Sequence, residues 1–270
     1  MANEFEKIFD RLTNQYDPNK IFNEFLDYCI DINLFTTKSQ DLDFQGREKY
    51  YFEMFKEWIK ITNDHIGEDN SEINSGNNGW YDYLGIFYEN IVQTKYKAGA
   101  RGQFFTPADV CQVMTELTIN DNEDYDGKLV NDCCCGSGRF LLAGHSLMPG
   151  AIMIGSDLDE VACKMSVLNF YIHGVRGSVL HQNTLTGETF QCWRINNYLG
   201  YGLPVPHIEL VPENEAYRFI GLNKDIKSIE VNNNNAVIEI NDNSKPKGTE
   251  HVSTCKQDEL QKKELQTKLM

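Results

Sequence analysis

Apolar residues in the first sixty positions recur at helical spacing. Phe5, Ile8, Phe9 and Leu12 share one face, and Ile21, Phe22, Phe25, Leu26 and Cys29 share another, which predicts two helices. The Asp17-Pro18 step separates them, because proline opens a helix more readily than it continues one. A third helix is predicted over residues 47–61, with Tyr50, Tyr51, Met54, Phe55, Trp58 and Ile59 on one broad face. Such a stripe is either core or an aromatic surface for nucleic acid, and core is by far the commoner of the two. Residues 65–79 are polar and glycine-containing and predict a loop or hinge. A further helix then carries Tyr83, Leu84, Phe87, Tyr88 and Ile91.

In "AGARGQFFTPADVCQVMTEL" the Thr106-Pro107 pair predicts a helix start, with Thr106 as cap and Pro107 in the first helical position. Val110, Val113, Met114 and Leu117 form its apolar face. The pattern then changes. "LVNDCCCGSGRF", residues 129–140, is a short apolar strand, a Gly136-Ser137-Gly138 turn and the start of a helix. A second strand, residues 151–158, reaches an acid at Asp157; a helix over about 160–173 follows; a third strand, "GSVLHQNTL", ends near Asn183. Two βα repeats and a strand make half of a doubly wound parallel sheet, so the fold class is α/β. Past Leu185 the organisation weakens. "HIELV" reads as a fourth strand, and "IKSIEV" and "AVIEI" read as a hairpin around four asparagines. The expected organisation is an N-terminal helical region over 1–98, a Rossmann-like domain over 99–240 and a polar, flexible tail over 241–270.

Composition adds four limits. Of the 270 residues 41% are hydrophobic and 24% charged, the balance of a soluble globular chain. No apolar run is long enough to span a bilayer, and "MANEFEKIFDRL" lacks the character of a signal peptide. The eight cysteines contain no CxxC pair, so they read as small buried residues in a reducing cytoplasm, with no metal site. The formal net charge is −15, whereas a chain that held DNA by itself would present a basic face. The nearest approach to one, "KYKAGARG" with Lys95, Lys97 and Arg101, reads as a solvated loop.

Candidate chemistry centres on the glycine turn. Glycine serves where the chain turns sharply and where a ligand must approach the backbone, and the helix beyond offers free N–H groups to an anion. An ordinary tight βα turn has the same appearance. Asp157 lies about 20 residues further on, where nucleotide-binding folds place the acid that accepts from ribose hydroxyls. The alternative is a solvated strand-end acid.

Four segments in order, "GQFFTP", "NDCCCGSGRF", "GSDLD" and "HQNTL", resemble the adenine-specific DNA methyltransferases, in particular the modification subunits of type I restriction systems. The resemblance spans roughly residues 80–186 and implies a Rossmann-like sheet that binds S-adenosyl-L-methionine. It implies that Phe104, Phe105 and Thr106 hold the methionine moiety. Asp132, with Cys133 beside it, would meet the amino group, and Gly136 and Gly138 would let the cofactor approach. Asp157 would take the ribose hydroxyls, Leu158 would pack on the adenine ring, and Asn183 would stand where the family has an aspartate near the adenine amino group. Implied partners are DNA and a specificity or recognition subunit. No membrane is implied, and the location is cytoplasmic.

One departure bears on function. The family's catalytic segment, Asn or Asp followed by Pro-Pro and an aromatic, has no counterpart here: Pro204 and Pro206 are split by Val205, and Pro212 precedes Glu213 and Asn214. No target-recognition domain is evident. Catalytic residues are therefore left unassigned. A rearranged site in "CWRINNYLGYG" would have Trp193, Tyr198 or Tyr201 for stacking and Asn196 or Asn197 as acceptor. The resemblance thus implies DNA adenine-N6 methyltransferase chemistry or, alternatively, a non-catalytic cofactor-binding or interaction module of the same descent.

Overall fold

The fold is taken from a computed structural model, which describes residues 2–35, 42–67, 79–93, 105–120, 123–199 and 205–212. The predicted hairpin, the tail, Phe104, Tyr201 and the "KYKAGARG" run lie outside the described residues.

The N-terminal helices form where the spacing places them. Helix α1 is Glu4–Thr13 and α2 is Pro18–Ile32. Asn3 caps the first by accepting from the Glu6 N–H at 2.8 Å, and Asp17 caps the second through Lys20 at 3.0 Å; each satisfies an amide that the helix leaves unpaired. Helix α3, Glu48–Gly67, runs longer than predicted. Its aromatic stripe is core: Tyr51, Met54 and Trp58 are fully buried, and Tyr50, Phe55 and Ile59 pack against the same cluster. Helix α4, Tyr83–Phe87, continues as a π-helical turn, Tyr88–Gln93. The rings of Phe5, Phe25, Tyr83 and Phe87 meet edge to face with centroids about 5 Å apart, the arrangement that aromatic quadrupoles favour.

The remaining elements alternate. Helix α5, Ala108–Thr118, leads to β1, Leu129–Asp132; then come α6, Arg139–Leu147, β2, Ile152–Asp157, α7, Glu160–His173, and β3, Gly177–Asn183. β1, β2 and β3 are parallel neighbours, joined by helical crossovers. This is the Rossmann-like α/β half expected from the pattern. Helix α7 is buried almost all round between the sheet and the N-terminal helices. Its single buried cation, Lys164, pairs with Asp27 and Glu160, each at 2.6 Å. One continuous core therefore joins the N-terminal helices to the sheet.

Two features differ from expectation. A strand that the pattern did not reveal, β4, Glu188–Ile195, returns antiparallel to β3, and β5, Ile208–Val211, continues beside it. The sheet order is β1-β2-β3-β4-β5, so among the described residues every strand lies to one side of β1. The second correction concerns α5. It begins after Pro107, which occupies the cap position, so Thr106 does not cap it. Its buried residues are Cys111, Gln112 and Thr115, while Val110, Val113, Met114 and Leu117 face outward. Among the described residues no helix is long and apolar enough to cross a membrane.

Candidate functional site

The parallel strands β1 and β2 end side by side, and the glycine turn leaves from β1 between them. Gly136 has φ +55° and Gly138 has φ +90°, the left-handed region in which a Cβ is strained. A Cβ on Gly136 would meet the Phe105 ring at 2.8 Å, and one on Gly138 would meet Ser166 Oγ at 3.0 Å. The turn is glycine for two reasons: it bends left-handed, and it is crowded by an aromatic on one side and by α7 on the other.

Asp157 fixes the turn to β2. Its Oδ2 accepts from the Gly136 N–H at 2.9 Å, and its Oδ1 accepts from the Asp159 N–H at 2.9 Å. Each oxygen keeps a lone pair for another donor. Ser166 Oγ donates to the Gly136 carbonyl at 2.7 Å. Asp132, at the end of β1, accepts from the Cys134 N–H at 3.0 Å. Burial pushes the Asp132 carboxyl up, against that N–H and with a further push from Asp157. The result is a half-buried acid with one backbone partner, turned toward a cavity.

That cavity measures about 210 Å³ and is lined by Phe105 and Thr106 on one side, by Asp132, Cys134, Gly136 and Ser137 along the turn, and by Asp157 beyond. Of the expected site residues, Phe105, Thr106, Asp132, Gly136 and Asp157 are brought together here. Gly138 stands one position behind the lining and shapes the turn. Phe104 lies outside the described residues.

Three expected residues stand elsewhere. Cys133 is exposed and does not line the cavity; the chain has left the strand for a turn, so Cys133 and Cys134 face solvent and only Cys135 of the three is buried. The reading of these cysteines as uniformly buried is thereby corrected. Leu158 is 61% exposed and does not touch the cavity. Asn183 accepts from the N–H groups of Leu185 and Thr186 at 3.1 and 3.3 Å, so its amide closes the turn from β3 to β4.

A buried network, not legible in the sequence, holds the cavity together. Arg139 donates to Asp82 Oδ2 at 2.7 Å, to Glu89 Oε2 at 2.8 Å and to the Thr106 carbonyl at 3.0 Å. Glu89 in turn accepts from the Phe105 N–H at 3.0 Å. Asp82 also accepts from Ser137 Oγ at 2.5 Å, from Asn169 at 2.8 Å and from the Gly85 N–H at 2.8 Å. Burial acts to lower the Arg139 pKa, but Asp82 and Glu89 outweigh it and hold the group above its usual value. One arginine thus positions the phenylalanine-threonine segment over the glycine turn. Burial also lifts the Cys111 thiol to about 11, with Arg139 opposing.

Three of the groups that a rearranged base-binding site would use, Asn196, Trp193 and Tyr198, are held within the fold. Asn196 is fully buried with φ +55°. Its Nδ2 donates to the carbonyls of Phe170 and Val175 at 2.9 and 3.1 Å, and its Oδ1 accepts from the His207 N–H at 3.1 Å. Trp193 is buried, and Tyr198 stacks on His207. These groups are committed to the fold.

Residues 80–203 match the family described as N-6 DNA Methylase. Over 140 residues the chain is 24% identical to the type I restriction enzyme MpnII methylase subunit of Mycoplasma pneumoniae, a match that covers 47% of this chain and 25% of the relative. The chain therefore spans about a quarter of that relative's length. Among solved structures, the methyltransferase subunit of a type I restriction-modification system from Streptococcus thermophilus aligns at 18% identity with a TM-score of 0.32, over 63% of this chain and 36% of that one. The matched stretch begins at the residues preceding Asp82 and runs through the glycine turn and β4, so it contains every residue of the cavity and its network.

Proposed function

We propose that this chain is the cofactor-binding portion of a DNA adenine-N6 methyltransferase, with S-adenosyl-L-methionine held at the ends of β1 and β2. The observation that carries the reading is the convergence of Asp132, Asp157, the left-handed glycine turn and the Phe105-Thr106 segment on one cavity. The donor set fits the cofactor. Asp132 is an acid with a raised pKa facing open space, the environment in which an ammonium group restores the ionised form. Asp157 is already oriented by two backbone amides and retains acceptor capacity for ribose hydroxyls. The Phe105 ring, packed over the turn and backed by Arg139, supplies an apolar wall. When bound, the cofactor supplies an activated methyl group.

Transfer to adenine requires the amino nitrogen held in line at about 3–3.5 Å and a base extruded from its duplex at a cost of a few kcal/mol. No described residue performs that role, and the Asn-Pro-Pro-aromatic segment is absent from the sequence. The net charge of −15 also opposes the phosphate backbone. In this reading the chain binds and orients the cofactor, and DNA is engaged through a partner that contributes the base-binding groups. The test is a methyl-transfer assay with labelled cofactor and unmethylated DNA, on the chain alone and after reconstitution with a partner. Transfer only in the reconstituted sample supports the reading; a cofactor-competent chain that labels adenine efficiently by itself contradicts it.

A further inference from the structure

Two adjacent thiols stand beside the cavity. β1 ends at Asp132, and the next two residues, Cys133 and Cys134, lie in a turn. Neighbouring side chains on a strand point to opposite faces; in this turn both are exposed, and both are free thiols. The two interact. Partial desolvation raises the Cys134 thiol above its usual value, and repulsion and a hydrogen bond from the Cys133 thiol raise it further, with Asp157 and Asp132 adding to the effect. Cys135, the third of the run, is set apart: it is buried, with its Sγ 3.6 Å from Ser166 Oγ.

The pair is joined to the site through its backbone. Cys134 lines the cavity, and its N–H is the donor that Asp132 Oδ1 accepts at 3.0 Å. A bond between the two sulfurs would close a ring through both Cβ and Cα atoms and the peptide C–N between them, so the Cys134 nitrogen would be a ring member. Closure therefore turns the N–H that holds Asp132. The ring is also easily reopened. The intervening peptide is trans, which sets the two Cα atoms about 3.8 Å apart, short of the usual disulfide span of about 4.4–6.8 Å. Strained, exposed disulfides are the labile ones.

We propose that Cys133 and Cys134 form a modification site for small-molecule disulfides, and that closing the pair weakens the cavity's hold on its ligand by turning the backbone donor of Asp132 away. One thiolate attacks the small disulfide: a mixed S–S bond forms, the S–S bond of the reagent breaks, and one small thiolate leaves. The second protein thiol loses its proton to water and attacks the protein sulfur of the mixed disulfide; the Cys133–Cys134 bond forms and the second small thiolate leaves. Two protein thiols are oxidised and one small disulfide is reduced to two thiols, which take up the two protons released. Excess thiol runs the sequence backward. The effect on ligand affinity rests on the cofactor reading; the modification site does not.

The test incubates the full reduced chain with oxidised glutathione and reads intact mass, peptide masses and alkylatable thiols. The expected result is the loss of two hydrogens, mapped to the peptide that holds residues 133 and 134, and the return of both thiols with dithiothreitol. Cys133→Ser and Cys134→Ser are each expected to stop at the mixed disulfide, carrying one glutathione. The closed chain is expected to bind S-adenosyl-L-methionine about tenfold more weakly than the reduced chain, the scale of a hydrogen bond to a charged group, and to recover on reduction. Retention of both thiols, mixed disulfides that never close in the unaltered chain, a bond from either sulfur to Cys111 or to any other cysteine, or a closed pair that binds as tightly as a binding-competent reduced chain would each overturn the inference. Mass and thiol count need no cofactor, so a reduced chain that binds none counts against the cofactor reading alone.

Discussion

The guanidinium of Arg139 donates to Asp82 across 2.7 Å, joining residues 57 apart in sequence and almost wholly shielded from solvent. Arg139 opens the helix that follows the glycine turn, and Asp82 caps α4 in the N-terminal region. The pair therefore couples the helical layer to the cavity. Removing one partner of a buried pair leaves the other charge uncompensated, which costs about 3–5 kcal/mol. Arg139→Ala is expected to destabilise the chain by that amount in urea unfolding. Arg139→Met combined with Asp82→Asn is expected to cost less than the sum of the two single changes, because the orphaned charge is gone.

Gly136→Ala and Gly127→Ala separate backbone strain from crowding. Both glycines have positive φ, +55° and +70°, so each substitution carries the strain of a left-handed alanine, about 1 kcal/mol. Only Gly136 has a neighbour in the way, the Phe105 ring at 2.8 Å; Gly127 has nothing within 4 Å. Gly136→Ala is expected to displace Phe105 and weaken cofactor binding about tenfold or more, about 1.4 kcal/mol. Gly127→Ala is expected to lower the melting temperature and leave affinity unchanged.

Asn196→Ala is expected to fail as a test of catalysis and to register as a loss of stability. The amide makes hydrogen bonds to three carbonyls and one N–H while fully buried, and its removal strands those groups at about 1–3 kcal/mol each at most. Chemical denaturation should locate a loss of several kcal/mol, with cofactor affinity of the remaining folded protein near the unaltered value.

The parallel half of the fold was legible because its signals are local. The strand, glycine turn and helix and the acid ending β2 all follow from neighbours in sequence. What escaped was long-range. The strand β4 has apolar residues on both faces, Phe190 and Cys192 on one and Trp193 and Ile195 on the other, so it shows no alternation; Arg194 pairs with Glu209 on β5 at 2.6 Å, a partner 15 residues away. Asp82, Glu89 and Arg139 meet only in the folded chain, so no spacing rule marks them as the frame of the site. The apolar side of α5 lies outward among the described residues, because periodicity reports that a helix has an apolar side and not which way that side faces.

Acid should weaken the fold through His173. Its Nε2 accepts from the Tyr81 N–H at 3.0 Å, and its Nδ1 lies 2.7 Å from the Asn169 carbonyl, an arrangement that requires the neutral ring with the proton on Nδ1. Burial lowers its pKa from 6.5 to about 4, despite the Asn169 carbonyl and Asp82. The folded state therefore binds fewer protons than the unfolded state between those two values. Stability is full above pH 6.5 and falls as pH drops toward 4, by up to about 2 kcal/mol between pH 7 and pH 5. His145, lowered in the same direction by burial, adds to the trend. Urea midpoints across this range should slope less in His173→Gln than in the unaltered chain.

Calorimetric titration with S-adenosyl-L-methionine and with its demethylated product tests whether the cavity at the ends of β1 and β2 is the cofactor site. One-to-one binding is expected, and Asp157→Ala and Asp132→Asn are each expected to weaken it by about 10- to 100-fold, the scale of hydrogen bonds to a charged group. A folded chain that gives neither heat nor thermal shift at millimolar concentrations of either compound, or binding indifferent to both substitutions, would contradict it.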